Sequence, residues 1–313
     1  PTQASQAADS AQPVTQIKPL SVQDILQQLA NIKVPVNDHN QELALLMAAH
    51  GIEISEDSFA LINKLLKGKK SQSAKESAVM LLSKGLGEQV DNVDVINQFL
   101  NKQASVSKSL NNLLQMQGKM QDILNSGLQN NPGLQAFLSV FDDFNDQLKQ
   151  LKKISKANKL LGNQAALMDD LVAMEAFLKG LNQSVLDNKG IKKYLKELYQ
   201  LNQNLLGQFI LSQDSVKQPL GMLESYHYFQ IPNPLSAQAV IEMLLRKQAR
   251  SSGKKFKDKK EGSKDREKII ISMETESMGT LTITIVVMGF RVWCTVYSDQ
   301  EEAVNHAASF RQE

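Results

Sequence analysis

Residues 277–304, SMGTLTITIVVMGFRVWCTVYSDQEEAV, follow the period of a β-strand in a chain that otherwise follows the period of helices. Apolar residues alternate with threonines from Thr280 to Val287, which predicts a strand with one apolar face. A tight turn is expected at Met288–Gly289, after which a second alternating strand returns. The core of this unit is predicted to contain Ile283, Ile285, Val287, Val292, Cys294, Val296 and, in a following helix, Val304.

Other segments complete a small α+β unit around this hairpin. Residues Tyr226–Pro232 are predicted to form a strand, and Ala239–Arg246 are ambiguous between strand and helix, with strand preferred. Ile269–Met273 alternate as a strand does. Ser298–Glu301 match a capping box, which opens a helix expected to cover the sheet. Because the apolar pattern of that helix breaks off at Glu313, we expect the natural chain to continue.

The N-terminal part predicts a helical array over residues 19–218, after a small, polar segment at 1–18 that is expected to be disordered. An internal repeat lies within residues 42–100, where residues 42–66 resemble residues 76–100 at an offset of 34. Two units are too few for a solenoid, so the repeat favours a compact antiparallel array.

Each repeat unit is predicted to be a helix, a glycine stop, a connector and a second helix. Gly51 and Gly85 occupy matching positions and suit the left-handed residue that ends a helix. The next helix is expected to start at Ser55 or Asp57 in the first unit and at Asp91 or Asn92 in the second.

Helices are predicted to continue over residues 104–218, with breaks at 130–133, at Gly162–Asn163 and at 187–190. Two apolar stripes mark sides that face a core. They comprise Phe137, Val140, Phe141, Phe144, Leu148 and Leu151 in one segment and Leu167, Leu171, Met174, Phe177, Leu178 and Leu181 in another. The predicted fold is therefore a mainly α N-terminal array followed by an α+β domain at 219–313, an antiparallel sheet with one covering helix.

The composition excludes several classes of protein. The net charge of +2 creates no global field that would attract nucleic acid or a membrane surface. No apolar run reaches the roughly 20 residues of a membrane-spanning helix, so no membrane insertion is expected. The chain has one cysteine, Cys294, which rules out an internal disulfide.

No cluster of residues points to catalysis. The four histidines stand far apart without the spacing of metal ligands, and no glycine-rich loop has the context of a phosphate site. The carboxylate pairs Asp142–Asp143 and Asp169–Asp170 have the pattern of solvated helix faces. We therefore expect a protein that is not an enzyme, with no catalytic residues, no metal site and no cofactor.

Two segments could bind partners. The Lys-rich loop at 249–267 supports an alternative interpretation, a helical scaffold with a nucleic-acid-binding C-terminal module, but interspersed Asp and Glu residues favour a flexible, solvated loop. Arg291, Trp293 and Tyr297 are expected on the side of the final hairpin opposite its core. Residues of these three types often anchor protein interfaces, but another layer of the same domain, such as the strand at 226–231, could equally cover them.

The segment from Lys268 to Glu313 resembles the C-terminal domain of bacterial flagellar hook-length control proteins. The family's order of strand, Leu-Gly pair, alternating strands around a short turn, and helix matches IIISMETES, Met278–Gly279, TLTITIVV, MGFRVWCTVY and SDQEEAVNHAASFRQ. The match covers about 50 residues of the chain. Met278 stands where the family usually has Leu, the Pro common before it is missing, and so is an Arg often found near Val304–Asn305.

The resemblance implies a non-enzymatic regulator of hook length that is itself exported from the cytoplasm by the flagellar type III apparatus. It implies that the C-terminal domain docks on the cytoplasmic domain of the export-switch protein, and that the N-terminal part meets hook and hook-cap proteins. Residues expected to bind the partner are Met278, Gly279, Leu281, Arg291, Trp293 and Tyr297. About 220 residues precede the sheet, and they would span roughly 700 Å fully extended but less than half of that as helix.

Overall fold

The computed structural model describes residues 21–101, 106–127, 134–151, 157–180, 188–215, 226–232, 240–246, 266–276, 278–288 and 290–301. In these ranges a series of helices precedes an antiparallel sheet, which confirms the predicted order of a helical array and a β-rich C-terminal part. The helices are α1 Val22–Asn31, α2 Asp38–Ala49, α3 Glu56–Leu66, α4 Gln72–Ser83, α5 Asn92–Leu100, α6 Val106–Gly127, α7 Leu134–Leu151, α8 Ala157–Lys179 and α9 Lys189–Leu211. The strands are β1 Tyr226–Pro232, β2 Val240–Arg246, β3 Arg266–Thr275, β4 Gly279–Met288 and β5 Arg291–Ser298.

Several predictions fall outside the described ranges. These are the disordered segment at 1–18, the break at 130–133, nearly all of the basic loop at 249–267, and the covering helix with Val304. The boundary between the domains, expected at residues 218 and 219, also falls in such a range, because α9 ends at Leu211 and β1 begins at Tyr226.

The two repeat units end their first helices in the same way, as the sequence predicts. Gly51 has a φ of 67° and Gly85 a φ of 74°. The residue after each glycine donates its main-chain N–H back to the helix, from Ile52 to the carbonyl of Met47 at 2.8 Å and from Leu86 to that of Leu81 at 2.9 Å. This six-to-one bond is the Schellman arrangement that a left-handed residue makes possible.

The second helix of each unit starts at one of the predicted positions. Ser55 precedes α3, and its hydroxyl accepts a hydrogen bond from the N–H of Ser58 at 3.2 Å. Asp91 precedes α5 but makes no capping bond with its side chain.

The helices form two apolar cores that share one helix. The first core gathers side chains from α1 to α5 together with Ile210, and the second gathers α6 to α8 with Ile191 to Leu205 of α9. The predicted stripes of α7 and α8 contribute Phe141, Phe144 and their apolar neighbours to the second core. Helix α9 therefore ties the two halves of the helical part together.

The predicted break at Gly162–Asn163 is wrong, because α8 runs through it from Ala157 to Lys179. A glycine within a helix costs only about 1 kcal/mol relative to alanine. The buried side chains of Leu167, Leu171 and their neighbours on α8 outweigh that cost.

The sheet is a meander in which each strand pairs with the next, in the order β1-β2-β3-β4-β5. All four pairings are antiparallel. The ambiguous segment around Val240–Arg246 is a strand, as preferred from the sequence. Strands β1 and β5 are therefore the two edges of the described sheet.

The outer edge of β1 lies against α9. The N–H of Tyr228 donates to the Ser212 hydroxyl at 2.9 Å, and that hydroxyl donates to the Tyr228 carbonyl at 3.2 Å. Two residues further along, the N–H of Gln230 donates to Oε1 of Gln208 at 3.0 Å. Side chains of a helix thus occupy the positions that a further strand would take.

An aromatic contact seals the same junction. Phe99 of α5 meets Tyr228 edge to face, with ring centroids 5.6 Å apart. Gly207 of α9 lies directly under Phe99, and a Cβ placed on this glycine would be 2.7 Å from the phenyl ring. A side chain at position 207 would therefore force Phe99 to move.

We predict that Gly207→Ala lowers the free energy of unfolding by about 1–2 kcal/mol, because the strain of overpacking exceeds the gain in helix propensity. Gly118→Ala on α6 is the matched control, since a Cβ there meets nothing within 4 Å. The control should raise stability by up to about 1 kcal/mol. Urea unfolding followed by circular dichroism measures both, and equal effects of the two variants would contradict the packing at Gly207.

Candidate docking site

The turn before β4 is held by hydroxyl groups from both of its sides. The Thr275 hydroxyl accepts from the N–H of Met278 at 3.0 Å and donates to the carbonyl of Gly279 at 2.9 Å. From the end of β5, the Ser298 hydroxyl donates to the Met278 carbonyl at 2.7 Å. These bonds leave the main chain of the turn with little freedom, although it lies near the surface.

Gly279 is required by both its conformation and its surroundings. Its φ is +62°, and a Cβ on it would lie 2.1 Å from Oδ1 of Asp299. That carboxylate oxygen accepts the N–H of Thr280 at 2.9 Å, while the N–H of Asp299 points to the Thr280 carbonyl at 3.4 Å. Asp299 thus connects the end of β5 to the start of β4. It can come this close to position 279 only because glycine has no side chain.

Ser298 also makes a side-chain hydrogen bond to the main chain just after β5. It is buried, and its hydroxyl accepts the N–H of Gln300 at 3.0 Å, the type of bond that begins a helix. The capping box predicted at Ser298–Glu301 requires bonds between Ser298 and Glu301, whereas this bond comes from Gln300, so the box stays a prediction.

The register of β4 and β5 sorts their side chains onto the two predicted faces. Val287 lies opposite Val292 and Ile283 opposite Val296 on one face, and Val286 lies opposite Trp293 on the other. The apolar face carries Leu281, Ile283, Ile285, Val287, Val292, Cys294 and Val296; the threonine face carries Thr280, Thr282, Thr284, Val286, Arg291, Trp293, Thr295 and Tyr297.

The predicted burial of the β5 core residues is not what the structure has. Val292 is 64% exposed and Val296 54% exposed, and Cys294 is exposed as well. Their partners on β4, Ile283 and Ile285, are partly buried. The reason is position in the sheet: β4 has strands on both sides, whereas β5 is an edge strand with one neighbour. Alternation identifies the face of a side chain but not the depth to which that face is covered.

The residues predicted to bind a partner divide into two places. Arg291, Trp293 and Tyr297, which we call the docking surface, are all exposed on the threonine face, Trp293 by 45% and Tyr297 by 66%. Met278 and Gly279 lie in the turn at the Ser298 end of β5, about 23 Å from Arg291 along the strand. Leu281 is partly buried on the opposite, apolar face.

Charges are separated along this edge of the sheet. Arg291 lies at the hairpin end of β5, where the exposed Glu267 of β3 pairs with Val287 of β4. The opposite end carries the exposed carboxylates of Glu274, Glu276, Asp299 and Glu301. A partner that complements the edge would present acidic groups at one end and basic groups at the other.

Two kinds of feature can be assessed in the ranges described above, a metal centre and a membrane-spanning helix. Their histidine, cysteine and acidic residues form no group of three that could hold a metal ion. None of their helices is long and apolar enough to cross a membrane. Burial raises the pKa of Tyr228, and the Glu242 carboxylate raises it further, so this phenol is neutral at ordinary pH and accepts a hydrogen bond from Gln230.

The polar junction between α9 and β1 was not predicted from the sequence. Besides the bonds to the β1 main chain, Nε2 of Gln208 donates to Oδ1 of Asn204 at 2.6 Å, and Nδ2 of Asn204 donates to Oε1 of Gln230 at 2.8 Å. Asn204 and Gln208 are buried. The available signal was the spacing of Asn204, Gln208 and Ser212, which places three polar groups on one helix face that otherwise borders apolar residues.

No protein-family model, curated protein or solved structure matches this chain.

We predict that Gln208→Ala lowers the free energy of unfolding by about 1–3 kcal/mol, because it removes the acceptor of the Gln230 main-chain N–H and one bond to the Asn204 side chain. Gln115→Ala at an exposed position of α6 is the matched control and should change stability by less than about 0.5 kcal/mol. Urea unfolding can be followed by the fluorescence of Trp293, the one tryptophan of the chain. A stability of Gln208→Ala equal to that of the control would show that the junction contributes nothing.

Proposed function

We propose that this protein is a non-enzymatic regulator of flagellar hook length and of the substrate specificity of type III export. The observation that carries the proposal is the turn at Met278–Gly279. In the resemblance drawn from the sequence, this dipeptide precedes the alternating strands of the switching domain. Its glycine has a left-handed φ and an Asp299 oxygen at 2.1 Å from the place of a Cβ, which supports a structural requirement for glycine there.

The docking surface is proposed to bind the cytoplasmic domain of the export-switch protein. Trp293 and Tyr297 offer large, exposed aromatic area on a strand that is anchored through β4. Arg291 adds a charge at one end, which favours an acidic patch on the partner. The Met278–Gly279 turn contributes by holding the end of β5 in place rather than through the centre of the contact.

The helical part is proposed to meet hook and hook-cap proteins while the chain is exported from the cytoplasm. Its described cores contain no covalent crosslink, because the lone cysteine lies in β5. Unfolding of this part before export therefore requires only that non-covalent packing be lost. This supports the proposal that the chain passes the export channel in an extended form.

We expect Gly279→Val in the native host to give overlong hooks without filaments, as deletion of the gene should, while the variant is still exported. The substitution forces a β-branched residue into a left-handed conformation and against Asp299. Electron microscopy of hooks and immunoblotting of the medium measure the two outcomes. Gly118→Val, in open space on α6, is the control and should leave normal hooks with filaments. Normal filament-bearing hooks in Gly279→Val would refute the assignment.

We expect Tyr297→Ala to weaken binding to the purified cytoplasmic domain of the host's export-switch protein by tenfold or more, because exposed aromatic anchors carry much of an interface's free energy. Tyr199→Ala on α9 is the matched control, since Tyr199 is 44% exposed but lies far along the chain from the sheet. Isothermal titration calorimetry compares the affinities. If both variants bind as the wild type does, the docking surface is placed elsewhere.

A further inference from the structure

The two edges of the described sheet differ in how their main-chain groups are satisfied. The outward N–H groups of β1, at Tyr228 and Gln230, donate to the side chains of Ser212, which follows α9, and of Gln208 on α9. On β5, Arg291 pairs with Met288 across a two-residue loop. The two residues that close such a loop are hydrogen-bonded to each other, so the main-chain groups of Arg291 point toward β4. Every second residue from Arg291 directs its main-chain groups the same way. Asp299 fits this alternation, because its N–H points to the Thr280 carbonyl of β4.

The main-chain groups of Val292, Cys294 and Val296 therefore point away from β4. Within the described residues, β4 is the only strand that pairs with β5, so these groups form an edge ready to pair with another strand. Two of the devices that commonly block such an edge, lysine and proline, are absent from Arg291–Ser298, and the strand has a single charged residue, Arg291.

The side chains flanking this edge are apolar on both faces. Val292 and Val296 are exposed on the apolar face, and Trp293 and Tyr297 on the threonine face. An added strand would cover side chains on both faces as well as main-chain groups. The site thus suits an extended segment with the same two-sided apolar character.

The charge pattern selects the identity of that segment. The edge has Arg291 at one end of β5 and Asp299 just past the other end. An antiparallel copy of the same strand reverses this order and brings each arginine to the aspartate of its partner. A second copy of the strand therefore matches both the charges and the apolar pattern of this edge.

We propose that two copies of this chain associate through β5, antiparallel and with the two-fold axis at Thr295. In this register Arg291 lies opposite Asp299 of the second copy, and Trp293 lies opposite its Tyr297. Cys294 and Val296 form the neighbouring hydrogen-bonded pair, which agrees with the outward direction of their main-chain groups. Aromatic and oppositely charged cross-strand pairs are among those that stabilise sheets.

The register is set by the side chains. An axis at Cys294 would also satisfy the main-chain bonds, but it would place Arg291 opposite Tyr297 and leave Asp299 beyond the partner strand. Because α9 occupies the outer edge of β1, the association closes at two copies and does not extend into a fibre.

The inference goes beyond the proposed function and does not depend on it. Both use Trp293 and Tyr297, so copies paired through β5 would be unable to offer the whole docking surface to another partner. The tests below use the purified chain alone, and their failure would leave the hook phenotype of Gly279→Val unaffected.

The sharpest test is a disulfide at the axis. In the proposed register, Thr295 lies opposite its own copy in a non-hydrogen-bonded pair, where Cα atoms are about 4.5 Å apart and a disulfide can form. The double variant Cys294→Ser, Thr295→Cys should crosslink under mild oxidation at least tenfold faster than the wild type. Native Cys294 is the matched control. The Cys294 residues of the two copies are diagonal neighbours about 7–8 Å apart, which is too far for a disulfide.

Faster crosslinking of native Cys294 than of the variant would overturn the register. Equal, slow crosslinking of both proteins would overturn the association itself. Non-reducing gel electrophoresis over a time course distinguishes these outcomes.

Sedimentation equilibrium of the full chain tests the association without oxidation. We expect a reversible dimer whose dissociation constant rises about tenfold in Arg291→Glu, because two opposite-charge pairs become two like-charge pairs. Lys119→Glu, which makes the same charge change at an exposed position of α6, should leave the constant unchanged. Cys294→Pro, which removes one outward N–H, should give monomers, whereas Cys294→Ser should remain dimeric. A wild type that stays monomeric at all concentrations, or that assembles beyond two copies, would contradict the proposal.

Discussion

The hydrogen bonds between the main chain of β1 and the side chains of Gln208 on α9 and Ser212 at its C-terminal end decide how the sheet is placed and which of its edges is open. Ser212 and Gln208 supply the donors and acceptors that an additional strand would otherwise supply. Their geometry is specific because an N–H that loses its partner in a partly buried position costs up to about 1–3 kcal/mol, more than the net contribution of one such bond. The meander is therefore attached to the helices through β1, and each later strand is added on the side away from that contact.

Burial falls from the anchored edge to the free one. Phe229 and Ile231 of β1 are buried, the apolar residues of β4 are partly covered, and Val292 and Val296 of β5 are exposed. The same gradient brings Trp293 and Tyr297 to the surface. An edge strand with this composition would be a liability in isolation, and both proposed interactions give it a partner.

The Met278–Gly279 turn helps to hold the exposed strand β5 in place. Asp299 and Ser298 at the end of that strand bond to the first residues of β4 and to the turn before it. Both ends of β5 are thus tied to β4, by the two-residue loop at one end and by these side chains at the other. A docking surface built on an edge strand needs such restraint, because binding to a mobile strand would also have to order it.

Local sequence alone determined most of the described elements of this protein and the facing of the strands β4 and β5. Gly51 and Gly85 mark helix ends because only glycine enters the left-handed conformation freely, and the alternation from Thr280 to Tyr297 sorts two faces because strand side chains alternate. The requirement for glycine at position 279 was also within reach of the sequence, although its contact with Asp299 was not. Tertiary structure decided what local rules do not contain: that α8 continues through Gly162, that Asn204 and Gln208 bury their amides against β1, and that Val292, Cys294 and Val296 are exposed. Each of these depends on which segments, distant in the chain, come to lie beside one another, and periodicity in a single segment carries no information about its neighbours.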